Sequence, residues 1–326
     1  MQSSSVAHGY AMLAAVTCGN RADFDGLMKY YLRFKNKNGL MGFHQQKSNK
    51  GRFIPAPDSG GSSSTEADVD IAAALFMAKK KWGQGGYDGE IDYGSAATDL
   101  ARCTWQHCFN HDTYMPFIGD WAKAEGGINT LVTPGHFSLG SFWILQQEDM
   151  ERSEQWGKVI DQIITVLQEQ LALHPNTGLV ANFLRLCDSS YLPASGWVLG
   201  HAHGDYYSWD SCKLPWRLSY YYEMTGDERL KNILETQATF FVGKLSSGGI
   251  GADLTLDGKG TSKYYHKAVL APVRFLLGTL SWNDRYDQMK DMVDEASVGT
   301  DYLGETIELL CTLQFNGTRN SLLVDI

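Results

Sequence analysis

The sequence predicts an all-α fold of helical hairpins closed into a toroid, and three observations predict it. Apolar residues recur at helical spacing along nearly the whole chain of 326 residues. Tight Gly- or Ser-containing breakers separate these stretches, as at Thr225-Gly226-Asp227 and Asp58-Ser59-Gly60-Gly61-Ser62-Ser63-Ser64. No low-complexity linker and no repeat of fixed period interrupts the pattern, which counts against an open solenoid and favours one domain over residues 1–326.

Taken in order, helices are expected over about Ser5–Thr17, Asp23–Phe34, Asp68–Trp82, Gly94–His111 and Pro134–Gln147. The next is the clearest. Trp156, Ile160, Ile163, Ile164, Leu167 and Leu171 form one stripe that stops before His174-Pro175-Asn176-Thr177-Gly178. Further helices follow over Asp210–Met224, Glu228–Val242, Tyr264–Leu280, Asp284–Glu295 and Leu303–Phe315, and strand signals are few and short. Each amphipathic helix must bury its stripe against a neighbour, and about six hairpins in a ring achieve that.

Composition narrows the function. The chain carries 28 Lys+Arg against 37 Asp+Glu, a formal charge of −9, and has no dense Lys/Arg run, so nucleic acid is not expected as a partner. No apolar stretch approaches the ~20 residues that cross a bilayer, so no membrane partner is expected. The first residues have neither a basic nor a long apolar segment, so no signal peptide is expected in this chain. Six scattered cysteines form no C-x-x-C and read mostly as buried thiols. His201-Ala202-His203 and the Cys103, His107, His111 series have ligand-like spacing. A polar loop and a helix face explain them better, so neither a metal nor a cofactor is expected.

Aromatic residues make up 12% of the chain and repeatedly adjoin acids, as in Gly119-Asp120-Trp121 and Asp205-Tyr206-Tyr207-Ser208-Trp209-Asp210. A flat ring packs on the apolar face of a pyranose while carboxylates bind its hydroxyls, and glycosidic cleavage uses a carboxyl pair. The segment Ser64-Thr65-Glu66-Ala67-Asp68-Val69-Asp70-Ile71-Ala72 puts three acids at the start of an apolar helix. Thr65 and Asp68 resemble a capping box, and acids suit a helix N-terminus. Three carboxylates so close also suggest a catalytic or substrate-clamping group.

From Thr65 to Leu75 and on to Trp82-Gly83, the chain resembles the signature of glycoside hydrolase family 8, T-D-A-D-x-D-I-A with a Trp one helix later. The resemblance continues in order through Asn38-Gly39-Leu40-Met41-Gly42-Phe43-His44, Val132-Thr133-Pro134-Gly135-His136-Phe137, Thr177-Gly178-Leu179-Val180, Pro193-Ala194-Ser195-Gly196, Asp210-Ser211-Cys212-Lys213-Leu214-Pro215-Trp216-Arg217 and Tyr302-Leu303-Gly304. It implies an (α/α)6 barrel that is secreted or periplasmic and acts on a β-1,4-linked polysaccharide or oligosaccharide with inversion; a monomer is expected. Inversion needs a carboxylic acid for the leaving oxygen and a carboxylate for the attacking water.

By the same resemblance Asp210 is the general base, and Glu66, with Asp68 beside it, shapes the cleavage subsite. Trp121, Tyr207, Trp209 and Tyr302 are expected to contact sugar, Phe43 stands where relatives often carry a stacking Trp, and Lys213 replaces an Arg. Relatives carry S-E-G-x-G-Y-G-M, whereas this chain reads Ser5-Val6-Ala7-His8-Gly9-Tyr10-Ala11-Met12. Val6 thus stands at the acid's position, His8 and Glu66 are the nearest substitute donors, and the barrel is expected to lack the helix that precedes this motif in relatives. The expected activity is therefore endo-β-1,4-glycan hydrolysis, or glycan binding without catalysis.

Overall fold

The computed structural model describes residues 2–83, 91–246, 250–260, 265–296 and 302–319. Tyr264, the expected start of one helix, lies outside them. Two compact units emerge, one built from Met1–Asn129 and Ser141–Ile160, the other from Thr130–Gly140 and Asp161–Val324.

In the first unit, α1 (Ser5–Thr17) begins where Ser4 caps the helix, its side chain accepting from Ala7 N. Next come α2 (Arg21–Arg33), capped by Asn20, then α3 (Thr65–Trp82) and α4 (Tyr93–Cys108), capped by Asp92. Every residue of α3 from Thr65 to Ala78 is buried, so this helix has no solvent face and forms the core of the unit. α1 and α4 pack on it. Gly9 brings α1 close: a Cβ there would sit 3.2 Å from the Ala67 carbonyl oxygen and 3.3 Å from Asp70 Cβ.

Strands β1 (Gln2–Ser4), β2 (His44–Lys47) and β3 (Phe53–Pro55) form an antiparallel sheet with Ser4 opposite His44 and Lys47 opposite Phe53. Trp156, at the head of the stripe read from the sequence, is fully buried against Trp105, Phe109 and Phe142. Its indole N–H donates to Asp149, which Arg152 also holds at 2.7 Å.

Helix α5 (Leu139–Glu148) and helix α6 (Ser153–Leu173) each have residues in both units. The second unit carries the small antiparallel sheet β4 (Leu131–Val132), β5 (Leu184–Cys187) and β6 (Ser190–Pro193). It continues through α7 (Leu214–Thr225), α8 (Lys231–Ser246), α9 (Lys267–Thr279), α10 (Asn283–Glu295) and α11 (Tyr302–Arg319). α9 is buried from Lys267 to Gly278, with α7, α10 and α11 packed on it. Buried Lys267 and Arg274 pair with Glu308, and Trp216 donates to Gln314 of α11 at 2.6 Å.

The expected turn at Thr225-Gly226-Asp227 is present, and Gly226 has φ 65°, the left-handed conformation that glycine adopts without strain. Three expected helices begin as 3-10 turns instead: Pro134–His136 precedes α5, Ser211–Lys213 precedes α7, and Glu228–Leu230 precedes α8. All six cysteines are free thiols, four of them buried.

Candidate active site

In the first unit, the three acids at the head of α3 do not form one cluster. Successive residues on a helix turn by about 100°, so Glu66 and Asp70 share a side while Asp68 faces away from them. Glu66, only 1% exposed, accepts 2.6 Å from the Tyr10 hydroxyl of α1. Asp70 accepts 2.6 Å from Ser141. Asp68 accepts 2.8 Å from the Met41 backbone N–H, and its Oδ2 has no hydrogen-bond partner among the described residues. Burial pushes the Asp68 carboxyl well above the usual carboxylate range, and the negative charge of Asp120 adds to that. A carboxyl pushed upward takes a proton more readily than its neighbours, which eases the repulsion that three nearby carboxylates would otherwise have.

The capping box read from the sequence does not form. Ser64, not Thr65, is the N-cap residue, and the Thr65 hydroxyl donates instead to the Phe117 carbonyl at 2.6 Å. Its backbone N–H goes to Ile118. The head of α3 is thus fixed by the 117–120 loop. Asp120 ties that loop further, accepting from Ser63 N and from the side-chain amides of Asn36 and Asn38, each at 2.8 Å. At Gly119 any side chain would run into the Ser63 carbonyl, so glycine is required immediately before Asp120 and Trp121.

Val6 lies one helical turn before Tyr10 on α1, on the side that carries Tyr10 to Glu66, and it is half-buried. Phe43, also half-buried, stacks on His44 at 4.0 Å, and its carbonyl accepts from Ser5 N, which places it beside the start of α1. His8 turns elsewhere. It is buried against Tyr30 of α2, and burial lowers its pKa to about 4, leaving a neutral imidazole at neutral pH.

In the second unit, Asp210 sits immediately before the 3-10 turn Ser211–Lys213, with its side chain 29% exposed. The Lys213 ammonium lies 3.7 Å from Asp210 Oδ1. Buried Asn182, which the sequence reading did not single out, holds this segment. Its Oδ1 accepts from Asp210 N at 3.3 Å, Ser211 N at 3.1 Å and Ser211 Oγ at 3.0 Å. Gly135 of the Thr133-Pro134-Gly135-His136 motif presses against the same place: a side chain there would collide with the Asp210 carbonyl and lie 3.0 Å from Lys213 Cε. The Pro215-Trp216-Arg217 part of the motif is core, with the Arg217 guanidinium 4.3 Å over the Trp216 ring.

Trp209 is half-buried and meets His266 edge-on at 4.6 Å; His266 in turn caps α9, accepting from Ala268 N. Tyr302 is 67% exposed at the start of α11. Tyr207 is placed differently from the sugar-contacting role read from the sequence. It is fully buried against Phe241, so it has no ring face open to a sugar. The short loop after β6 leaves Trp197 74% exposed, an aromatic the sequence reading passed over.

Among the described residues, no three His, Cys, Asp or Glu side chains come together as a metal site. His203 stacks on Tyr206, and His111 stacks on Trp105 and bonds its carbonyl. Among the described residues, no helix is long and apolar enough to cross a membrane.

The first unit thus holds a buried set of hydrogen-bonded acids, and the second a partly exposed carboxylate whose backbone is held by Asn182 and beside which the Lys213 ammonium lies. The chain belongs to glycosyl hydrolases family 8, whose family model matches residues 1–317. It is 30% identical over 323 residues to a beta-glucanase of Niallia circulans, covering 96% of this chain and 76% of that protein. It is 29% identical to endoglucanase A of Acetivibrio thermocellus, covering 98% of this chain and 62% of the relative. Among solved structures it resembles an apo beta-1,3-1,4-glucanase from Paenibacillus sp. X4, with a TM-score of 0.86 and 29% identity over 97% of this chain and 83% of that one. A cold-adapted family 8 xylanase in complex with substrate shares the fold at a TM-score of 0.80 and 14% identity, covering 97% of this chain and 80% of that one. The fold class is therefore the all-α (α/α)6 barrel expected from the sequence.

Proposed function

We propose that this chain acts on a β-1,4-linked glycan of the β-glucan type by the inverting route, outside the cell or in the periplasm. Asp210 takes the proton of the attacking water, and Glu66 holds the sugar ring at the cleavage subsite. The observation that carries the reading is Asp210 itself: a carboxylate open enough to meet water, its backbone locked by Asn182 and its charge beside Lys213. A base must be both accessible and oriented to abstract a proton. Trp209 and Tyr302 offer ring surface in the same unit, and Phe43 and Trp121 do so in the other.

The protonating role is where the reading is tested hardest. Val6 has no proton to give, His8 is neutral and turned to α2, and Glu66 is engaged by Tyr10. Val6 thus favours a second reading, a protein that grips the glycan and cuts it slowly or not at all. Reducing-end release on soluble β-glucan, xylan and chitosan, run beside retention on insoluble glycan, separates the two. Chain shortening abolished by Asp210→Asn supports the hydrolase. Retention with unchanged chain length supports the binder, and neither cleavage nor retention on any of them overturns both.

A further inference from the structure

Charge is unevenly distributed along this acidic chain. Between Asp25 and Asp58 there are seven Lys and Arg residues and no Asp or Glu, although the chain as a whole carries −9. This stretch runs from α2 through the β2–β3 hairpin of the first unit, and a cavity of about 410 Å³ opens within it. Its lining is Tyr30 and Arg33 from α2, Phe34 at the C-cap of that helix, and Gly51, Arg52 and Phe53 from the hairpin.

Both halves are placed by local geometry. Tyr30 and Arg33 are spaced to lie on one helix face, and Phe34 follows as the C-cap, its N–H donating to the Tyr30 and Tyr31 carbonyls. On the hairpin, Gly51 adopts φ 76° in a turn closed by Gly51 N to Ser48 O and Ser48 N to Arg52 O, which sets Arg52 and Phe53 just beyond it. The three rings pack together, Tyr30 at 4.5 Å from Phe34 and 6.2 Å from Phe53, and the Arg33 guanidinium lies 5.7 Å from the Phe34 ring centre. Neither Arg33 nor Arg52 has an acidic partner within salt-bridge distance among the described residues, and both are exposed.

We propose that this pocket is a second carbohydrate site, for a sugar bearing a carboxylate: a uronic acid carried on the glycan. The chemistry matches part by part. Aromatic rings accept the apolar face of a pyranose. A guanidinium binds a carboxylate through a fork of two hydrogen bonds, which a neutral hydroxyl cannot reproduce. The surrounding lysines supply a positive field that attracts a polyanionic chain and falls off with salt. The volume suits one or two sugar rings. None of the lining residues belongs to the candidate active site, so the pocket acts as a separate handle on a substituted polymer. That assignment of a glycan as ligand rests on the function proposed above.

The test is calorimetric titration of the full chain with four probes: a glucuronic-acid-substituted xylo-oligosaccharide, the unsubstituted oligosaccharide of equal backbone length, glucuronate alone, and a soluble β-glucan. The acidic oligosaccharide is expected to bind at least ~10-fold more tightly than the neutral one, the scale of a charge-assisted contact. That advantage is expected to vanish in Arg33→Gln/Arg52→Gln and to shrink between about 50 mM and about 500 mM salt. Both arginines are surface residues, so the variant folds, which its circular dichroism checks. Equal affinities, or an advantage that survives the double substitution, overturn the proposal, as does failure of both acidic probes to bind. If glucuronate binds through the two arginines while neither the neutral oligosaccharide nor a soluble β-glucan binds at all, the pocket stands and the proposed glycan function falls. If the neutral chain binds and the acidic one binds no better, the reverse holds.

Discussion

Replacing Asn182 by alanine removes one acceptor that receives three hydrogen bonds, all converging on the segment that carries Asp210. The Ser211 residue is fully buried, so its backbone N–H is left without a partner at a cost of about 1–3 kcal/mol. The Ser211 hydroxyl can turn toward the Ser208 carbonyl, 3.5 Å away, and loses roughly 0.5–1 kcal/mol. The bond from Asp210 N is long at 3.3 Å and adds little. The sum is a loss of about 1.5–4 kcal/mol, large against the roughly 5–15 kcal/mol that holds a typical domain together. Urea unfolding followed by Trp fluorescence reads it as a lower midpoint at unchanged slope.

Ser211→Ala should cost a similar amount, about 2–4 kcal/mol, because it removes the bond to Asn182 and leaves the buried Ser208 backbone N–H, which donates to the Ser211 hydroxyl at 3.0 Å, without that acceptor. The double variant should fall short of the sum of the two, since both changes break the same Asn182–Ser211 bond. An Asn182→Ala protein within about 0.5 kcal/mol of the parent would refute the claim that this amide locks the Asp210 segment.

Two further predictions concern pH. The folded state holds His8 at a pKa of about 4, below its ordinary 6.5, so the unfolded chain binds the extra proton between those values and stability rises with pH across that window. That difference corresponds to about 3 kcal/mol, and His8→Gln should flatten the limb of the unfolding curve between about pH 4 and 6.5; an unchanged limb contradicts the burial argument. Asp68 has the opposite sign: its folded pKa is raised, so its contribution is complete below the ordinary carboxylate range and is lost as pH rises through the raised value. Asp68→Asn, which mimics the protonated side chain, should therefore gain stability relative to the parent as pH increases, and a constant difference across pH contradicts it.

Much of the helical framework is legible in the residues. α1 spans Ser5–Thr17 as its periodicity indicates, because the apolar spacing and the Ser4 cap agree. Signals fail where a neighbour outbids the local pattern. Thr65 and Asp68 have capping-box chemistry, yet Phe117 and Met41 claim their side chains, so the helix starts earlier and uncapped. The Asp210 segment shows a helical pattern, but Pro215 lies in the first turn of α7 and Asn182 occupies the preceding N–H groups, which leaves a 3-10 turn instead.

The site is legible in part for the same reason. Asp210 and Glu66 stand in recognisable motifs, whereas Asn182 is 28 residues from Asp210 and its role depends on a loop contact that no spacing rule encodes. Tyr207 belongs to an aromatic-acid run on the page, but only the packing against Phe241 reveals that its ring is inside. The pocket of α2 and the hairpin escaped because its cations are scattered along the chain, never adjacent, and become one surface only when the hairpin folds back.

The central claim is that Asp210 is a working base in a chain whose acid position holds Val6. The most direct measurement is the rate of reducing-end release on soluble β-glucan by the parent, Val6→Glu, Asp210→Asn and the double variant. Val6 lies one turn from Tyr10 on the side facing Glu66, so a carboxyl there should restore proton donation and raise the rate by about 10²–10⁴. That gain is predicted to disappear when Asp210→Asn is added. A Val6→Glu chain no faster than the parent, or one whose activity survives loss of the Asp210 carboxylate, contradicts the account.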